Sequence, residues 1–194
     1  MERVYAVMFR YRNILAGAPL VFAFFSVLGE VENDWIIWPL AVLISASGVA
    51  VRGWSRVHCN YARKKRKTLA STGPYVYMRN PLYVGNTLVI CGATIASGLL
   101  WLLPVVLVWC FLIYTGVIKF EEKRLLEKYG EVYTQYSREI PRWIPRRPQS
   151  PDKSQFSAPG RSFWATTLSQ STNLLILLPF IVKELNLLGL WSHP

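Results

Sequence analysis

The chain has 194 residues, 52% of them hydrophobic and only 17% charged, with a mean hydropathy of +0.24. A soluble domain carries about 25% charged residues; here the charges are bunched between apolar runs that approach the ~20 residues needed to cross a bilayer, which excludes an ordinary soluble domain. The net charge of +11 sits beside those runs, where lysine and arginine fix topology, so it argues against nucleic acid as a partner.

The N-terminal segment MERVYAVMFRYRN interleaves Arg3, Arg10 and Arg12 with Tyr5, Met8, Phe9 and Tyr11. It is expected to lie along the cytoplasmic face ahead of a first span, about Ile14 to Leu28, that contains Pro19. No cleavable signal peptide is expected, because that run lacks a small-residue cleavage site and further spans follow. An acidic loop with Glu30, Glu32 and Asp34 leads to a second span, Trp35 to Val57, whose Trp35 and Trp38 suit the interfacial aromatic belt. Arg52 and Arg56, toward its end, can reach the headgroups by snorkelling. The run Arg63–Lys67 reads as a stop-transfer and anionic-lipid patch. The three cysteines, Cys59, Cys91 and Cys110, are scattered and odd in number, which points to buried thiols and to no disulfide set or metal site.

Next comes KTLASTGPYVYMRNPLYVGN, Lys67 to Asn86. Gly73-Pro74 and Asn80-Pro81 are turn dipeptides, and each pushes the residue before its proline away from helical geometry. Pro81 suits the first position of the following helix, where its missing N–H costs nothing. The stretch is expected to fold back at the membrane surface and present Arg79, Asn80, Tyr75, Tyr77 and Tyr83 around a helix start. Two tightly joined spans follow, Pro81 to Ser97 and Leu99 to Phe120, forming a hairpin. Beyond them Leu126, Tyr129, Tyr133 and Tyr136 make one apolar face on an amphipathic helix, or on a helix pair broken at Gly130. A Pro/Arg-rich connector, Pro141 to Pro159, precedes a last apolar run, Leu174 to Trp191, interrupted by Lys183 and Glu184. Charges near a span centre are costly; a fifth crossing is nevertheless expected. The positive-inside rule puts the N-terminus, the 58–80 loop and the segment after Phe120 in the cytoplasm, so the two unusual segments share one surface.

Glu121 and Glu122 stand where a span leaves the membrane, and their plain role is to solvate a helix end. A carboxylate at the mouth of a bundle can also bind hydroxyls or an amine of a polar cofactor. Arg79, between a tyrosine and a helix start, suits an anion, because guanidinium groups and helix N-termini both favour negative charge. The tyrosines are interfacial aromatics or pocket walls.

KTLASTGPYVYMRNPLYVGN together with the downstream EEKRLLEKYGEVYTQY resembles the isoprenylcysteine carboxyl methyltransferase and phospholipid N-methyltransferase superfamily. That family has a Gly-x-Tyr turn and Arg-His-Pro-x-Tyr-x-Gly, then two apolar segments, then Glu-Glu with a following Phe/Tyr-Gly-x-x-Tyr-x-x-Tyr. The resemblance covers about Asn60 to Pro145 and implies S-adenosylmethionine as cofactor, converted to S-adenosylhomocysteine, in a cytoplasm-facing pocket. A lipophilic or lipidated acceptor would enter from the membrane. By position, the implied cofactor contacts are Asn60, Lys67, Thr68, Leu69, Ala70, Tyr75, Asn80, Pro81, Leu82, Tyr83 and Glu121; the implied catalytic pair is Arg79 and Glu122. Two departures stand out. Asn80 replaces the motif histidine, and Val117, with Lys119 nearby, occupies the place of an arginine that meets the substrate carboxylate in the prenylcysteine enzymes. His58 is the one histidine near the motifs, and it also suits a plain interfacial role.

The expectation is therefore a single all-α, polytopic membrane bundle over 1–194, with about five transmembrane helices and a cytoplasmic cofactor-binding cap. Its core motif region is 60–145, its exposed connector 146–170 and its last crossing 171–194. The function expected is methyl transfer to an isoprenylcysteine-like carboxylate or a phospholipid-like group. The alternatives are an NADPH-dependent reductase of a sterol- or isoprenoid-like lipid, or a non-catalytic membrane protein of the same fold.

Overall fold

A computed structural model of the chain describes residues 2–31, 33–62, 68–146 and 162–185. Among them every regular element is helical: α1 (Glu2–Phe25), α2 (Asp34–Tyr61), α3 (Pro81–Ala96), α4 (Leu103–Tyr129), α5 (Glu131–Glu139), α6 (Ser162–Gln170) and α7 (Leu178–Glu184), with 3₁₀ turns at Gly73–Val76, Leu100–Leu102 and Ser171–Leu177.

Small residues set the closest packing. A Cβ added at Gly48 of α2 would lie 2.7 Å from the Gly85 carbonyl oxygen of α3, and one at Gly92 would meet the Ser45 hydroxyl and the Ala41 backbone. The α2–α3 pair is therefore the tightest in the bundle, a backbone approach that only small side chains permit. The small residues of these two helices pack within one chain. The α3–α4 hairpin turns at Gly98, with φ +74°, whose N–H donates to the Ile95 carbonyl at 2.9 Å. Its two arms touch each other less than α3 touches α2.

The core joins Ala16 and Leu20 of α1, Ala41 of α2, Ile90 and Ile95 of α3, Val106 and Val117 of α4, and Phe180 of α7. Phe22, Phe25, Leu43, Val108 and Leu112 remain exposed on the outer faces. An apolar exterior on this scale is the pattern of a protein whose surroundings are lipid.

Two helical stretches, Asp34–Tyr61 and Leu100–Tyr129, are long and apolar enough to cross a membrane. The expected count of five is not reached on that criterion. α3 has 16 residues, about 24 Å of helix against a hydrocarbon core of about 30 Å. α1 merges the expected surface segment and first span into one helix of 24 residues with Pro19 inside. Its N-terminal half is held on α4 by Phe9 against Phe120, with ring centroids 5.4 Å apart, and by Met8 over Gly116. The last helical run starts at Ser162, inside the stretch expected as connector, and continues through the 3₁₀ turn to Glu184. Its Lys183 ammonium is buried among the carbonyls of Ser26 and Ala23 and paired with Glu30. The charge that counted against a crossing is thus satisfied within the protein.

Candidate functional site

The two motifs meet at the end of the bundle where α2 finishes, α3 begins and α4 runs on past the core. α2 stops at Tyr61, and the chain returns through the Gly73–Val76 turn to Pro81, the first residue of α3. Gly73 has φ +62°, and a Cβ there would fall 2.4 Å from the His58 ring. Glycine is needed twice over, for its backbone and for the imidazole beneath it. His58 is fully buried and its Nδ1 lies 2.9 Å from the Thr72 hydroxyl. It is a support for the turn and not an interfacial residue.

Gly130, with φ +52°, breaks the helix between α4 and α5, so the expected alternative of a helix pair is the one realised. The break aims three tyrosines back at the turn. The Tyr129 hydroxyl donates to the Thr68 carbonyl at 3.2 Å and the Tyr136 hydroxyl to the Tyr75 carbonyl at 2.9 Å. Tyr133 is buried beside the Arg79 guanidinium. The spacing Tyr-Gly-x-x-Tyr-x-x-Tyr is therefore a set of latches that fixes the turn, besides walling the space beside it.

A second tie comes from residues 141–146, the start of the expected exposed connector. The Arg79 N–H donates to the Pro141 carbonyl at 2.8 Å and the Arg146 N–H to the Tyr77 carbonyl at 3.0 Å. The Asn80 side-chain amide donates to the Arg142 carbonyl at 3.2 Å. Arg142 grips Glu122 through both oxygens, Nε to Oε1 at 3.1 Å and Nη2 to Oε2 at 2.6 Å, and Arg79 adds a third contact at 3.1 Å. The forked geometry matches guanidinium to carboxylate. Its hydrogen bonds raise the Arg142 pKa above the ordinary arginine value.

Between these ties lies a cavity of about 900 Å³, within the range of about 300–1,000 Å³ usual for small-molecule sites. It is lined by Asn60, Thr68, Leu69, Ala70, Tyr75, Arg79, Asn80, Leu82, Tyr83, Glu121 and Glu122 of the residues singled out from the sequence. Pro81 is fully buried beneath the wall as the first residue of α3 and does not line it. Lys67 lies outside the described residues. Glu121 lies beside Tyr83, whose ring packs tilted against Tyr114 with centroids 4.9 Å apart, and Arg12 and Arg124 are within electrostatic range of the carboxylate. Cys59 lies beside Tyr75. Desolvation pushes the Tyr75 phenol well above its ordinary pKa, with Cys59, Tyr136 and Glu121 acting the same way. Tyr136 and Tyr133 are raised for the same first reason, and Arg79 opposes the shift in both. All three phenols are neutral near pH 7, and that of Tyr136 donates to the Tyr75 carbonyl.

Sequence reasoning passed over Arg142 and the cavity-lining Phe9, Arg12, Arg56, Arg124 and Lys128. Arg142 follows a helix end in a Pro/Arg-rich run, where nothing in the order of residues marks one arginine from its neighbours. Arg12 does carry a signal, its place among Phe9 and Tyr11, which by itself reads as a surface pattern. Among the described residues, no group of three or more His, Cys, Asp or Glu side chains comes together to hold a metal ion.

The family model described as phospholipid methyltransferase matches residues 40–132. The chain is 31% identical over 117 residues, 59% of its length, to the cobalt-zinc-cadmium resistance protein CzcN of Cupriavidus metallidurans, of which it covers 53%. It is likewise 31% identical over 117 residues to the nickel-cobalt-cadmium resistance protein NccN of Alcaligenes xylosoxydans xylosoxydans, again 59% of this chain, covering 54% of that protein. The chain thus spans about half the length of the curated relatives it matches. No solved structure matches it. The matched residues hold the turn, the Arg79-Asn80-Pro81 helix start, the Glu121-Glu122 pair and Tyr129, and over this stretch the chain resembles the phospholipid methyltransferase family.

Proposed function

We propose that the chain is an S-adenosylmethionine-dependent methyltransferase acting on a lipophilic acceptor, an isoprenylcysteine-like carboxylate or a phospholipid-like group. The observation that carries this reading is a cavity walled by residues of both motifs, with the Glu121 carboxylate beside Tyr83. The donor set fits an adenosyl ligand: a carboxylate for its hydroxyls or ammonium, phenols and Leu82 for the flat base, and main-chain groups at Thr68, Leu69 and Ala70.

When bound, S-adenosylmethionine supplies an electrophilic methyl group, whose transfer forms one bond to the acceptor heteroatom as the carbon–sulfur bond breaks and leaves a thioether. Such an in-line displacement asks the protein chiefly for alignment and exclusion of water. Glu121 holds polar groups of the ligand. Arg79 and Glu122 position rather than react, since both Glu122 oxygens are engaged by guanidinium N–H groups. Asn80 serves as a tie to Arg142, a role that asks for a hydrogen-bond donor and not for a titrating ring. An acceptor that arrives ionised needs no general base. Methylation of a carboxylate acceptor would also remove a negative charge that divalent cations meet at the membrane surface, which is compatible with the resistance names of the relatives.

The test is calorimetric binding of S-adenosylmethionine, S-adenosylhomocysteine and NADPH to the full chain in detergent, beside Glu121→Ala. Binding of the adenosyl ligands that falls at least tenfold in the variant supports the reading. Binding of NADPH alone moves a lipid reductase to first place.

A further inference from the structure

The cavity wall contributed by α1 lies outside residues 40–132, the part that the family model covers. It consists of Phe9 and Arg12 facing Arg124 of α4. The Arg12 guanidinium lies 4.5 Å from the Phe9 ring centroid, and Arg124 sits 6.0 Å from Phe9 and 5.8 Å from Phe120. Two phenylalanines thus hold two guanidinium groups at one seam between α1 and α4, an arrangement that fixes arginine without using up its hydrogen-bond donors. Arg12 spends one donor on the Phe9 carbonyl at 2.8 Å. Neither guanidinium closes on Glu121 as an ion pair. The seam is rigid where it meets α4, because Met8 packs over Gly116 and the Trp109 indole donates to the Leu15 carbonyl at 2.7 Å.

Charge tells what the seam is for. Five cationic side chains line the cavity, Arg12, Arg56, Arg79, Arg124 and Lys128, against three carboxylates, Glu121, Glu122 and Glu127. Arg79 is committed to Glu122, which Arg142 also grips. A sulfonium nucleoside with an amino-acid tail carries net positive charge and does not balance the remainder. The second occupant must bring the negative charge. Beside the seam, Val4, Val7 and Ile14 leave α1 with an apolar exposed face, so a chain attached to that anion has a surface to follow.

We infer that the α1–α4 seam is an acceptor subsite that takes an amphiphile with an anionic headgroup, phosphate or carboxylate, held by Arg12 and Arg124 while its apolar chain lies along α1. This inference rests on the methyltransferase reading for the role of the amphiphile, and its binding is measurable without the cofactor. Selection of the acceptor then resides in a helix outside the shared motif region.

The experiment titrates the full chain in neutral maltoside micelles with dodecyl phosphate, dodecyltrimethylammonium and inorganic phosphate, and separately with S-adenosylhomocysteine. Variants are Arg12→Gln, Arg124→Gln and both together, with Arg138→Gln, an exposed cation outside the cavity lining, as the control for net charge. The expected result is saturable binding of dodecyl phosphate, at least tenfold weaker in the double variant and unchanged in Arg138→Gln, with S-adenosylhomocysteine affinity within twofold throughout. If the double variant fails to fold, the exposed Arg124→Gln alone should weaken dodecyl phosphate at least threefold. Equal dodecyl phosphate binding with and without the two arginines overturns the inference. So does inorganic phosphate binding as tightly as the dodecyl ester, or a loss of S-adenosylhomocysteine affinity in step with dodecyl phosphate, which would give the guanidinium groups to the cofactor. Absence of S-adenosylhomocysteine binding in the unaltered chain counts against the methyltransferase reading and leaves the amphiphile result standing by itself.

Discussion

Arg142 and Glu122 are twenty residues apart in sequence and joined by two hydrogen bonds, at 3.1 and 2.6 Å. The pair closes a loop that starts on α4, passes through α5 and returns beside Arg79. Hydrogen bonds to charged groups contribute about 1.5–3 kcal/mol, and the exposure of Arg142, 36% of its side chain, places this pair near or below the lower end. Arg142→Ala should lower stability by about 1–2 kcal/mol and loosen the Arg79 turn, seen as faster amide exchange at residues 77–80. Arg142→Lys should recover only part of the loss, because an ammonium cannot reproduce the fork. Full recovery with lysine would show that charge alone matters here.

Gly73→Ala combines two penalties. Its φ of +62° disfavours a side chain, and the new methyl would meet the His58 ring at 2.4 Å. Strained backbone of this kind costs of order 1–3 kcal/mol. The expected outcome is a large drop in thermal midpoint and weakened S-adenosylhomocysteine binding, since Tyr75 rides on the same turn. Pairing the substitution with His58→Ala should relieve the clash and leave the backbone term, so the double variant is more stable than the sum of the singles. Simple additivity would mean that the imidazole yields to the methyl.

The turn, the helix start at Pro81, the acidic pair and the tyrosine spacing were legible because each depends on local chemistry: prolines fix their neighbours, and residues three and four apart share a helix face. The element types were legible for the same reason. What the chain order could not show is which distant polar group each motif residue finds. Asn80 binds the carbonyl of residue 142, Tyr136 that of Tyr75, and Lys183 meets Glu30 across the bundle. The stretch from Pro141 looked like an exposed connector because Pro and Arg carry no periodicity, yet its first residues complete the site. The last apolar run shows the converse: a lysine is costly in lipid until its partner is known, and no order of residues names Glu30 as that partner.

Alkaline pH should unfold the protein through its latched tyrosines. The folded-state pKa values of Tyr75, Tyr133 and Tyr136 lie above the ordinary value, chiefly by desolvation. An unfolded chain ionises these phenols near pH 10. Below that, both states are protonated and the stabilisation is fully present. Above it the unfolded state releases protons first, and stability falls with rising pH by up to about 1.4 kcal/mol per unit for each such phenol. The thermal midpoint should therefore drop above pH ~10, and Tyr136→Phe should make that drop shallower while lowering the midpoint at pH 7 by the lost bond to Tyr75. An unchanged alkaline slope in the variant would assign the drop to other groups.

Lys183 secures the end of the bundle opposite the cavity. Its ammonium meets Glu30 in the α1–α2 connection, the Ser26 carbonyl just beyond α1, and, at 3.5 Å, the Ser97 carbonyl in the α3–α4 turn. One side chain from α7 thus ties two connections together. Lys183→Met would strand Glu30, and breaking a buried pair in this way costs about 3–5 kcal/mol. Adding Glu30→Gln removes the stranded charge, so the double variant should recover much of that loss, since residues in one network are not additive. S-adenosylhomocysteine affinity, measured well below the unfolding temperature, should stay within twofold in both, because the cavity lies at the far end of the same helices. A fall in affinity that tracks the lost pair would instead reveal that α7 and the cavity move as one unit.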